Sequence, residues 1–144
     1  MREFTLAAAQ TIVAEALKFS RQKKHTPMTV VVLDDRGTVK AVASEDGSSL
    51  SRFDIARGKA FGCLAFGLGA RAVGSKAQPF LNAVGQLSSV DMVPAAGGVL
   101  IRRNDTKVVI GAVGISGDTG ENDERAAVAG IKAAGFVADT GADG

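Results

Sequence analysis

Gly97 to Glu124, GGVLIRRNDTKVVIGAVGISGDTGENDE, is the stretch whose reading decides the fold. Two apolar runs, Gly97 to Arg103 and Lys107 to Ile115, flank Asn104-Asp105, which predicts a β-hairpin turning at that pair. On the second run Val109, Gly111, Val113 and Ile115 alternate with Val108, Ile110, Ala112 and Gly114. Both sets are apolar or small, so the strand is expected to be covered on both faces, as in a layered sandwich. Asp118, with Glu121 three residues on, then opens a helix whose face from Ala127 through Val128, Ile131 and Ala134 turns inward and which Gly135 ends.

Upstream, Thr5 is a plausible N-cap for a helix whose apolar face is Leu6, Ala9, Val13, Ala16 and Leu17. Arg21, Lys23 and Lys24 follow at its C-terminal end, where cations complement the helix dipole. Met28 to Leu33 is a continuous apolar run that reads as a central strand. It turns at Asp35-Arg36-Gly37 into Val39 to Ala43, with Asp34-Asp35 used as turn formers. After the SEDGSS loop, Ser51 and Asp54 resemble a capping box for a helix reaching about Phe66. Gly67 to Gly74 reads as irregular, Pro79 to Leu87 as a short helix, and Ser88 to Ala96 as a loop. Two hairpins among helical segments make the chain α+β, a single domain over residues 1–144.

Composition excludes several classes. The chain has 144 residues, 46% hydrophobic and 22% charged, with a formal charge of +2. That balance argues against disorder, and no apolar run approaches the roughly 20 residues of a membrane span. With no Trp or Tyr and no basic stripe, a nucleic-acid surface is not expected. Met1-Arg2-Glu3 leads into an amphipathic pattern rather than a secretory h-region, so a cytoplasmic location is the expectation.

Chemistry is harder to find. The lone Cys63 lies in an apolar helix and reads as core. GAVGISG, residues 111–117, lacks both the βαβ context of a dinucleotide fingerprint and the spacing of a nucleophile elbow. His25 is the single histidine, either a metal or haem ligand or a solvent-facing residue at a helix end. Asp118, Glu121, Asp123 and Glu124 offer oxygen ligands, which helix capping also explains. Ala56, Gly58, Ala60 and Gly62 keep one helix surface small, for close packing or for a flat ligand. Lys59 in that helix either snorkels to water or meets an anion. Gly97, Gly98 and Gly117 leave peptide N–H groups open beside a helix N-terminus, an expected cradle for a carboxylate.

Together, the run VVVLDDRG at 30–37, the helix carrying Ala56 and Lys59-Ala60, Gly97-Gly98-Val99, and GAVGISG followed by Asp123-Glu124 resemble the GlcG/HbpS family over nearly the whole chain. The resemblance implies a profilin-like fold, an α/β/α sandwich with an antiparallel sheet flanked by helices, and assembly into homo-oligomers. Its members include haem-binding accessory or sensor proteins and the C-terminal domain of some corrinoid adenosyltransferases. It therefore implies a small-molecule ligand, either a tetrapyrrole (haem or corrinoid) or an acidic metabolite. Gly97, Gly98 and Gly117 would supply backbone contacts, Lys59 and Arg71 charge, and His25, Met92 or Cys63 an axial ligand. The alternatives are an enzyme acting on a small hydroxy or carbonyl acid, with Lys59 as base or anchor and Glu124 as acid/base partner, and an oligomeric scaffold without a ligand.

Overall fold

In a computed structural model, which describes residues 4–87 and 91–142, one sheet carries helices on both faces. The N-terminal tripeptide and the start of the expected 88–96 loop lie outside the described residues. In chain order the elements are α1 (Leu6–Gln22), β1 (Thr29–Asp34), β2 (Val39–Ser44), α2 (Arg52–Phe66), α3 (Ala70–Gly74), α4 (Gln78–Gly85), β3 (Gly98–Arg102), β4 (Val109–Ser116), α5 (Gly120–Ala133) and β5 (Val137–Asp139). The strand order is β2-β1-β4-β3-β5, and every pairing is antiparallel. The expected α+β sandwich is the fold, with β1 and β4 at its centre.

Strand alternation sorts the core into two layers. Val30, Val32, Val99, Ile101, Val113 and Ile115 meet α1 and α5, through Ile12, Ala16, Ala127 and Ile131 among others. Val31, Leu33, Leu100 and Ala112 face the other way, onto Ala56, Ala60, Cys63 and Ala70 of α2 and α3. The expected parity of β4 holds only from Gly111 onward. Ile101 pairs with Gly111 but Arg102 with Val109, so Ile110 is an extra residue in a bulge. The slip swaps the faces of the strand's first residues, putting Ile110 on the α1/α5 layer and Val109 on the α2 layer.

Small residues set the spacing of α2 from the sheet. A Cβ on Gly114 would collide with the Ala56 carbonyl oxygen, and one on Gly98 would lie 2.9 Å from Cys63 Sγ. The small surface of α2 is therefore used for packing. Gly58 and Gly62 receive Val93 and Met92 on another side of the helix.

Several local expectations are corrected. Thr5 does cap α1 through Ala8 N–H, but Leu6 is 52% exposed and Ile12 is buried in its place. Ser51 makes no side-chain cap, because its own backbone is already helical. Thr119, not Asp118, caps α5 by accepting from Asn122 N–H. Part of the supposedly irregular 67–74 segment is the short helix α3. A fifth strand, β5, pairs with β3 after Gly135, which takes the positive φ of a chain reversal.

Candidate functional site

The N-terminal turn of α5 places Asp123 and Glu124 side by side in sequence and sends them to different partners. Lys59, 5% exposed, reaches from α2 across the end of β4. Its Nζ donates to Ile115 O at 3.0 Å and to Asp123 Oδ2 at 3.2 Å. Neither expected fate of Lys59 is realised: the ammonium meets a buried carboxylate of its own chain, neither water nor an outside anion. Burial pushes the Asp123 carboxyl above its ordinary value, against the opposing pull of the Asp118 N–H and Lys59.

Glu124 faces outward and is gripped by Arg71 of α3, whose Nε lies 2.9 and 2.7 Å from the two carboxylate oxygens. This fork raises the Arg71 guanidinium's pKa still further, chiefly through the hydrogen bond to Glu124. Glu124 is nearly closed off, whereas the Arg71 side chain remains 43% exposed. Lys59 and Glu124, paired in the enzyme alternative, are thus held in separate ion pairs.

Arg71 and Glu124 form one end of a groove of about 580 Å³ that runs over α5 beside the end of α1. Phe19 and Val128 provide apolar walls; Arg125, Lys132 and Glu121 line its length, and Ala142 of the C-terminal segment closes one side. Its volume is that of an ordinary small-molecule site. Phe19 of that lining packs in turn against His25, whose ring is set edge-on to it at 6.0 Å between centroids. The ring Nδ1 is buried and lacks a hydrogen-bond partner among the described residues.

The glycine cradle needs correction. Gly97, Gly98 and Gly117 are all buried. A Cβ at Gly97 would lie 2.8 Å from Lys59 Nζ, and one at Gly117 would lie 2.7 Å from Met28 Cα. These glycines exist to let α2 and the segment before β1 close on the sheet, which seals the peptide groups an outside carboxylate would need. Met92 is on the α2 side against Gly62. Cys63 is wholly buried, and burial pushes its thiol up to about 12. Of the three candidate axial donors, His25 packs against Phe19 of the groove lining.

Sequence reading missed Phe19, Arg125 and Lys132. A signal was present, since Arg125 and Lys132 recur at helical spacing on α5 with Val128, at the edge of its inward face, between them. Only the fold shows that the end of α1 lies alongside.

A family model described as haem degrading protein HbpS-like matches residues 4–132. Among solved structures, the crystal structure of a PduOC:heme complex is similar with a TM-score of 0.83 and 22% identity, over 94% of this chain and 97% of that one. Klebsiella pneumoniae protein ORFY gives 0.82 and 27%, over 93% and 92%. A double mutant of Streptomyces reticuli HbpS gives 0.79 and 20%, over 92% and 87%. No curated protein matches.

Proposed function

The chain belongs to the HbpS-like family, and on that premise we propose that it is a haem-binding protein whose ligand lies in the α5 groove. The observation that carries the reading is the groove's lining: Phe19 and Val128 beside Arg71, Arg125 and Lys132. A tetrapyrrole has the matching chemistry, an apolar macrocycle with acidic side chains at its edge. Aromatic and aliphatic walls bury the macrocycle, while the cations meet the propionates.

A histidine is a donor type that haem iron accepts, and His25 supplies one next to Phe19. Its Nδ1 is buried, so a bound iron would be met through Nε2. Bound haem would supply redox and ligand-binding chemistry; the chain's own residues bind, orient and shield it. Arg71 serves in that task while its fork to Glu124 neutralises the carboxylate that would otherwise repel an acidic ligand.

Titration with haemin tests the reading. A sharp Soret band that saturates at one haem per chain and is lost or displaced in His25→Ala supports it. A broad band indifferent to that substitution is adsorption and contradicts it. Cobalamin added in competition separates haem from a corrinoid, since a haem site is not emptied by it.

We also propose that the chain assembles into homo-oligomers. The outer strand β2 leaves Val39 and Val42 exposed at 42% and 41%, a surface that a second copy would cover. Light scattering coupled to size exclusion decides this, and a monomeric mass at micromolar concentration would reject it.

A further inference from the structure

We propose that Asp118 is a positioning residue for His25, clamping the turn that carries the imidazole; the inference rests on His25 being the ligand that the proposed function names. His25 and Thr26 lie between α1 and β1, outside any regular element. The His25 N–H donates to Ser20 O at 3.0 Å, which ties the start of this turn to α1. Two further groups, from opposite sides, hold its 25–26 peptide.

From the α1 side, Arg21 Nη2 donates to His25 O at 2.7 Å and to Thr26 O at 3.2 Å. Arg21 is itself set by Glu45, at 2.8 Å from Nε, and the other oxygen of Glu45 accepts from Met28 N–H. From the β4–α5 connection, Asp118 Oδ2 accepts from Thr26 N–H at 2.8 Å and from Thr26 Oγ1 at 3.0 Å. Its Oδ1 accepts from Thr119 N–H and Asn122 Nδ2, each at 2.8 Å. Oδ1 thus accepts twice, and Oδ2 accepts the Thr26 N–H and shares the single Thr26 hydroxyl hydrogen with Gly117 O, which fixes the plane of the group. Thr26 Oγ1 also contacts Gly117 O, closing the turn onto the strand end.

The clamp is anchored in the core. Asp118 N–H donates to Asp123 Oδ1 at 2.9 Å, and Asp123 is the carboxylate that receives Lys59. A continuous path of hydrogen bonds thus runs from α2 through the α5 N-terminus to the residue next to His25. Helix capping does not require this arrangement, because Thr119 already caps α5. What Asp118 adds is a fixed position for the 25–26 peptide.

Asp118→Ala removes the clamp, and Thr26→Val removes its hydroxyl arm alone, without touching the groove lining. In the ligand-free chain, Asp118→Ala is expected to speed hydrogen exchange of the Thr26 amide by at least about tenfold. It is also expected to move the His25 imidazole resonances toward those of a freely rotating ring. With haemin, Asp118→Ala and Thr26→Val should bind but show the altered Soret band of His25→Ala, while Thr26→Ser retains the wild-type band. An unchanged Thr26 amide and unchanged imidazole resonances in Asp118→Ala would overturn the proposal. So would a wild-type Soret band in that variant. If wild-type protein shows no band dependent on His25, the ligand assignment falls, and the two ligand-free measurements alone decide whether Asp118 holds the turn. Should Asp118→Ala fail to fold, Thr26→Val carries the imidazole and Soret tests, its amide keeping the bond to Asp118.

Discussion

Lys59 Nζ lies 3.2 Å from Asp123 Oδ2 with both side chains closed to solvent, so the domain carries an ion pair in its core where α2, β4 and α5 converge. Such a pair gains its attraction only by giving up hydration on both sides, and it becomes costly once one partner is removed. Ile115 O and Asp118 N–H complete the hydrogen bonding of the two charges.

Removing one member strands the other. Lys59→Met is expected to lower unfolding free energy by about 3–5 kcal/mol, measured by urea titration. Lys59→Met with Asp123→Asn should recover much of that loss, since the amide oxygen still accepts from Asp118 N–H. A single variant costing under about 1 kcal/mol would contradict the account.

Asp118 gives a pH signature. Backbone N–H of Thr26, then Asn122 and Thr119, hold its carboxyl well below the usual carboxylate range. A depressed folded-state value contributes stability above the unfolded value of about 3.9 and loses it as pH falls through the folded one. Asp118→Asn should therefore be less stable than wild type at neutral pH, with a shallower loss of stability on acidification below about pH 4. Parallel acid-unfolding curves would rule this out.

Glycines separate into two kinds. Gly114→Ala drives a methyl into the backbone of α2 at Ala56 and should destabilise by about 1–3 kcal/mol or more. Gly85, at the end of α4, has open space where a Cβ would go, so Gly85→Ala should be neutral or stabilising by up to about 1 kcal/mol. Similar thermal shifts for the two would contradict this division.

Cys63 should be chemically silent. It is wholly buried and its thiol is pushed up to about 12, so little thiolate exists at pH 8. A thiol reagent should label the folded chain slowly and the urea-unfolded chain at once; rapid labelling of folded protein would disagree.

How much of this was legible in the sequence follows from what each signal depends on. The Val30 to Leu33 run and the Gly97 to Ser116 hairpin carry their own patterns, so the central strands and the two-sided burial could be read directly. β5 could not: its residues, Val137 to Asp139, are too few to show alternation and become a strand only beside β3. Lys59 stands out in an apolar helix, but the partner that explains it is 64 positions away in sequence. Glycine content suggests an open cradle because a sequence shows missing side chains without showing what fills the space. Ala56, Lys59, Cys63 and Met28 fill it. Asp118 was assigned a helix cap because Thr119, its neighbour, has the same capacity and the sequence does not rank them.

The measurement that bears most directly on the α5 groove is a haemin titration at low salt comparing wild type with the double variant Arg125→Glu/Lys132→Glu, both proteins first shown to be folded by thermal melting. Among the described residues Arg125 pairs with Glu121 alone, across an exposed helix turn, so the substitutions should cost little stability. The account predicts binding weaker by at least about tenfold in the double variant, with the difference shrinking as salt is raised. Equal affinities at low salt would place the ligand elsewhere and contradict the account.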